Sequence, residues 1–183
     1  MNSINGQIYF WEHWGGGSHR WAQYQGGYSI YTKAGGTPAV AHPDVSQLGS
    51  GSKTPERYIP VGQGFYVIQK HDYDSINNVP SNPQGGNVVF NNNQRIFKTE
   101  ASGESIFTKE SIKKIGKSVA IRDTKDKVQR IRIGFTSPDG FYRSNMIAFL
   151  EGATDEFDNG YDAVAGDFLK NSVDFLTSDI IIE

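Results

Sequence analysis

Cysteine is absent from the 183 residues, and with it go disulfide frameworks, thiolate nucleophiles and Cys-ligated zinc or iron–sulfur centres. A Cys-free chain suits the cytosol and equally suits secretion by bacteria that do not rely on disulfides. Long apolar runs are missing too, so no segment is expected to insert across a bilayer. Neither sign of charge dominates. The 18 Lys and Arg against 20 Asp and Glu leave a formal charge of −2, which removes any global attraction to nucleic acid or anionic lipid. No period of 20–50 residues repeats, which excludes solenoids and propellers. Helix signals are sparse: a short helix or turn over 108–115 and one helix over 163–176.

Aromatic residues and glycine are plentiful. Phe, Tyr and Trp make up 13% of the chain, too many for a disordered segment, and 21 glycines promise many turns. Strand-like runs are short and bounded by Gly, Pro and Asn: Gln7–Trp11, Tyr28–Tyr31, Gly64–Gln69, Asn87–Phe90, Gln129–Phe135 and Met146–Leu150. In Gln129–Phe135 every second residue is apolar, the pattern of a strand with one buried face and one wet face. Gly64–Ile68 is more continuously apolar and reads as a central strand covered on both faces. Many short strands and few helices predict an all-β fold: one domain over 1–183, an antiparallel, jelly-roll-like β-sandwich with at most one or two short helices.

Charge is unevenly spread. Residues 109–132 hold nine of the Lys and Arg, while 151–183 hold nine acids against Lys170. Interspersed acids and a lack of neighbouring rings make the basic stretch a solvated face rather than a phosphate or nucleic-acid site, so no nucleic-acid partner is expected.

Three stretches have residues suited to chemistry. Eight rings fall between Tyr9 and Tyr31, including all three tryptophans. Flat rings on a β surface hold sugars by their C–H faces, and they also fill sandwich cores. Trp14 and Trp21 flank a glycine-rich loop, so Trp14, Trp21, Tyr24 and His19 form the candidate ligand platform. The histidines His13, His19, His42 and His71 match no zinc spacing and read as ordinary loop residues. The run Ala153–Asp162 offers Asp155, Asp158, Asn159 and Asp162 around Gly160, oxygen donors suited to Ca2+. Its spacing departs from the EF-hand pattern at Phe157 and Gly166. The alternative is a turn in which carboxylates accept backbone N–H groups.

The ordered set Ile8–His13, Gly26–Tyr31, Gly35–Gly36, Tyr58–Val67, Val88–Arg95 and Ala153–Asp162 resembles a β-rich region of large secreted and cell-surface proteins of Bacteroidetes. In that family the region commonly precedes the sorting domain read by the type IX secretion system. Two features usual in the family are missing, an Asn-Pro-Tyr-Pro segment ahead of the aromatic strand and a β-rich stretch after the acidic loop. The resemblance therefore implies an excised segment of a longer surface protein, without catalysis of its own, alongside other domains of that parent. The expected function is an adhesion or carbohydrate-binding module, with a glycan or other surface ligand and Ca2+ stiffening the acidic loop. Two alternatives stand beside it. One is a spacer or stalk domain. The other is a glycoside-hydrolase-like enzyme using Glu12 with Asp155, Asp158 or Asp162 as a carboxylate pair.

Overall fold

The computed structural model describes residues 4–42, 44–69, 73–74, 79–80, 87–99, 102–108, 128–138, 140, 142–155 and 157–163. The fold is all-β, with antiparallel sheets. Strands β1 (Ile4–Gly16), β2 (Tyr24–Thr32), β3 (Gly35–Thr37) and β4 (Tyr66–Gln69) form one sheet in the order β3-β2-β1-β4. Two further two-stranded antiparallel sheets are described: β5 (Tyr73–Asp74) with β6 (Val79–Pro80), and β7 (Gln129–Thr136) with β8 (Tyr142–Phe149). One 3-10 turn, Asn92–Gln94, is capped by Asn91, whose side chain accepts the Asn93 N–H. Among the described residues no helix is long and apolar enough to cross a membrane. The helices expected over 108–115 and 163–176 fall outside the described residues except at Thr108 and Ala163, as does the basic stretch up to residue 127.

The β1–β2 register sets everything that follows. Trp11 lies opposite Tyr28 and Glu12 opposite Gly27, with a bulge between His13 and Gly15. Directly opposed residues of an antiparallel pair share a face. Tyr9, Trp11, His13, Tyr24 and Tyr28 therefore line one face, while Phe10, Glu12 and Ser29 line the other. The second face holds the core. Phe10 is buried there with Ser29, whose hydroxyl donates to the Phe10 carbonyl at 3.2 Å, and Ala34, Ala39 and Ala41 are also buried.

The acidic loop is tied back onto the far ends of β1 and β2. The Lys33 N–H donates to the Gly160 carbonyl at 2.8 Å, and Thr32 Oγ1 to the Tyr161 carbonyl at 2.8 Å. Gln7 Nε2 donates to the Asp162 carbonyl at 3.0 Å, and the Lys33 ammonium sits 4.6 Å above the Tyr161 ring. Gly6 permits this approach. Its φ is +82°, and a Cβ there would lie 2.5 Å from Gly160 Cα.

Four details differ from what the sequence pattern suggests. Gly64–Ile68 is an edge rather than a central strand: β4 closes one side of its sheet, and Tyr66 is 60% exposed. Asn87–Phe90 lies outside any strand, with Val88, Val89 and Phe90 exposed; the Phe90 ring reaches Phe65 at 6.4 Å. Strand β7 alternates in sequence, but neither of its faces is buried: only Arg130 and Phe135 are even half-covered. Ile131 and Ile133 are exposed, whereas Arg130 Nε donates to the Ala34 carbonyl at 2.6 Å and Arg132 Nη2 to the Gly36 carbonyl at 3.3 Å. The hairpin is thus docked through its arginines. Finally, the rings between Tyr9 and Tyr31 supply the core with Phe10 alone; their companions stay half-buried or exposed.

Candidate functional site

The face opposite the core carries a connected ladder of rings. Trp11 is its centre. It meets Tyr28 edge-on at 4.7 Å and lies parallel to Tyr24 at 6.0 Å, and its Nε1–H donates to the Tyr24 hydroxyl at 3.0 Å. Tyr28 in turn meets Tyr66 of β4 at 5.7 Å and 89°. Such edge-to-face pairs each add about 0.5–1.5 kcal/mol beyond area burial, so the rings hold one another in place. Burial, and next the neighbouring Tyr66, push the Tyr28 phenol above its usual range. Burial likewise raises the Tyr9 phenol, partly offset by its hydrogen bond with Asn5.

Of the residues expected to make the platform, Tyr24 and His19 lie on this face, 6.4 Å apart. Trp21 is 69% exposed in the turn between β1 and β2. Trp14 is turned away. It is the extra residue of the bulge, and its ring packs under Gly27, on the core side, while its Nε1–H donates to the Leu48 carbonyl at 3.2 Å. Trp14 and Trp21 therefore do not pair across the glycine loop as expected. The residues missed are Trp11, Tyr28 and Tyr66, together with His13 and His42. The one sequence signal for them is the spacing of two in Tyr9, Trp11 and His13, which puts all three on one side of a strand.

Glu12 points the other way. Only 3% exposed, it sits beneath the segment 50–53, where its Oε1 accepts the Ser52 N–H at 3.1 Å and its Oε2 has no hydrogen-bond partner. Burial pushes its carboxyl above the usual range; the Ser52 and Lys53 backbone groups and the Lys53 charge pull the other way without cancelling it. A Cβ on Gly51 would lie 2.3 Å from Oε2, so the carboxyl is closed off on that side. This location gives Glu12 no access to a ligand on the ring face.

In the acidic loop the carboxylates serve the backbone. Asp158 Oδ2 accepts the Thr154 N–H at 2.5 Å, and Asp162 Oδ2 accepts the Asp158 N–H at 2.6 Å. Asp155 and Asn159 are exposed. Among the described residues no three His, Cys, Asp or Glu converge as a metal-holding group. What the loop does here is brace the β1–β2 end of the sheet.

A protein-family model described as "Domain of unknown function (DUF8693)" matches residues 1–179. Neither a curated protein nor a solved structure matches the chain.

Proposed function

Because the chain belongs to the DUF8693 family, whose description assigns no activity, its role is read from its own residues, and we propose a non-catalytic, glycan-binding module of a secreted or cell-surface protein. The observation carrying this is the ring ladder: Trp11, Tyr24, Tyr28 and Tyr66 sit on one sheet face, with Tyr66 60% exposed at its margin. Rings fixed by one another and by a strand register present apolar surface at little entropic cost. Sugar C–H faces stack on such surfaces, and the tyrosine hydroxyls and imidazole nitrogens beside them suit sugar hydroxyls. Trp21 in the adjoining turn extends the same apolar supply. Surface localisation and attachment to further domains are part of this proposal, supported by the family resemblance of the motifs. So is a two-layer, sandwich-like arrangement, for which the arginine contacts of β7 with Ala34 and with Gly36 of β3 speak.

A stalk or spacer role is the second reading, favoured by one observation. Trp11 is itself wedged among Tyr24, Tyr28 and His42, as a purely structural cluster would have it. Affinity electrophoresis separates the two. The protein is run through gels holding soluble polysaccharides, neutral and charged in turn. Retardation by at least one polymer supports the glycan reading, whereas unaltered mobility throughout leaves the spacer.

A further inference from the structure

Three of the four histidines meet the ring ladder. His13 stacks on Tyr24 at 4.6 Å with 21° between the planes. His42 lies 6.2 Å from Trp11 and 6.0 Å from Tyr28, and His19 lies 6.4 Å from Tyr24. They arrive from separate parts of the chain: β1, the turn into β2, and the segment after β3, where the His42 N–H donates to the Gly26 carbonyl at 3.0 Å. Stacking of a neutral sugar needs rings and hydrogen-bonding groups, but not three imidazoles.

Few carboxylates stand near them. Among the described residues the one carboxylate within ion-pair range of a histidine nitrogen is Asp44, 3.6 Å from His42 Nδ1. Glu12, next to His13 in sequence, is buried on the opposite face. Among the described residues the phenol rings of Tyr24 and Tyr28 pack against the imidazoles, and Arg20 follows His19 in the turn. Of the three, His13 is stacked on a tyrosine face, where an imidazolium gains cation–π stabilisation. The His42 Nδ1 accepts the Asp44 N–H at 3.2 Å, which places the proton of the neutral ring on Nε2.

We propose that the ligand of this face is an anionic polysaccharide, its carboxylate or sulfate groups held by His13, His19 and His42 while its sugar rings lie on Trp11, Tyr28 and Tyr66. This rests on the glycan-binding reading and adds the ligand's charge class to it. An imidazole attracts an anionic group only in its protonated form, so binding tightens on acidification. Exposed ion pairs are worth about 0.2–1 kcal/mol each, so three together amount to roughly tenfold in affinity.

Titration calorimetry with polygalacturonate, sulfated dextran and unmodified dextran, at about pH 5.5 and about pH 7.5, tests this. The full chain is expected to bind at least one polyanion roughly tenfold more tightly at the lower pH, with a smaller gain in about 0.5 M NaCl. Which of the two responds separates carboxylate from sulfate. Dextran affinity is expected to be indifferent to pH. A His13→Gln/His19→Gln/His42→Gln variant is expected to lose the pH response while still unfolding in one cooperative transition, at a midpoint lowered by the lost His13–Tyr24 stacking and His42–Asp44 contact, and Asp44→Asn to strengthen polyanion binding. Dextran bound as tightly as the polyanions at both pH values would overturn the charge assignment and leave the glycan reading standing. A pH response surviving the triple substitution would overturn it as well. No binding of any polymer removes both.

Discussion

Replacing Gly51 by alanine probes how the buried carboxyl of Glu12 is enclosed. The new methyl would fall 2.3 Å from Glu12 Oε2, 3.0 Å from its Cδ and 2.8 Å from the Ala39 Cβ. Neither neighbour has room to retreat. Ala39 is fully buried, and Glu12 is held by the Ser52 N–H and is 3% exposed. Overpacking of this sort costs about 2 kcal/mol, and for a chain of this length each kcal/mol lowers the melting midpoint by about 2–4 °C. Gly51→Ala is therefore expected to melt roughly 6 °C below the parent by circular dichroism. The decisive comparison is made in a Glu12→Ala background. That substitution alone leaves the Ser52 N–H without its acceptor, at a cost of about 1–3 kcal/mol. It also vacates the volume the Gly51→Ala methyl needs, so the second change should then cost little. Residues in contact couple in this way, and the cycle isolates the coupling. An equal loss from Gly51→Ala in both backgrounds would refute the argument that the carboxyl is what the methyl strikes.

Three other outcomes follow from the same contacts. Because burial raises the Glu12 pKa in the folded state above the ordinary value of 4.5, its stabilising contribution is full below that value and is lost as pH rises through the folded one. Urea midpoints should thus decline with rising pH over that window, and a Glu12→Gln variant that keeps the same decline would contradict the assignment. Thr32→Val removes the hydroxyl that donates to the Tyr161 carbonyl and accepts the Ala34 N–H, so a loss of about 1–2 kcal/mol is expected in chemical denaturation. With Asp158 and Asp162 already accepting backbone N–H groups, calcium should leave the melting midpoint unmoved; a rise reversed by EDTA would instead make ligands of Asp155, Asp158 and Asp162.

How much of this was legible in the sequence depends on what each feature rests on. Strands β1, β2, β7 and β8 announce themselves, since alternation and ring content are local properties of Ile8–Trp11 or Gln129–Phe135. What holds a strand in place is not local. Ile131 and Ile133 stay exposed, and the strand is held instead by Arg130 and Arg132 on the carbonyls of Ala34 and Gly36, residues almost a hundred positions away. Val88, Val89 and Phe90 are strand formers by composition, yet a segment becomes a strand only with a partner alongside. Trp14 shows how one residue decides a site. The bulge after His13 takes its ring to the core side, away from Trp11. The spacing of two puts His13 on the ring face, but His42 had no such signature, because it reaches Trp11 and Tyr28 only through the return of its segment onto Gly26. The acidic loop was legible in its turn chemistry, with carboxylates accepting backbone N–H groups as Asx-rich turns do.

Tyr66 offers the most direct test of the ring face, being 60% exposed on an edge strand and joined to the ladder through Tyr28. Tyr66→Ala should weaken binding of any polysaccharide that the parent retains by about tenfold, equivalent to ~1.4 kcal/mol, while losing the Tyr28 contact lowers its melting midpoint by only a few degrees. Undiminished affinity in that variant and in Trp11→Phe would contradict the assignment of this face as the place where the protein meets its ligand.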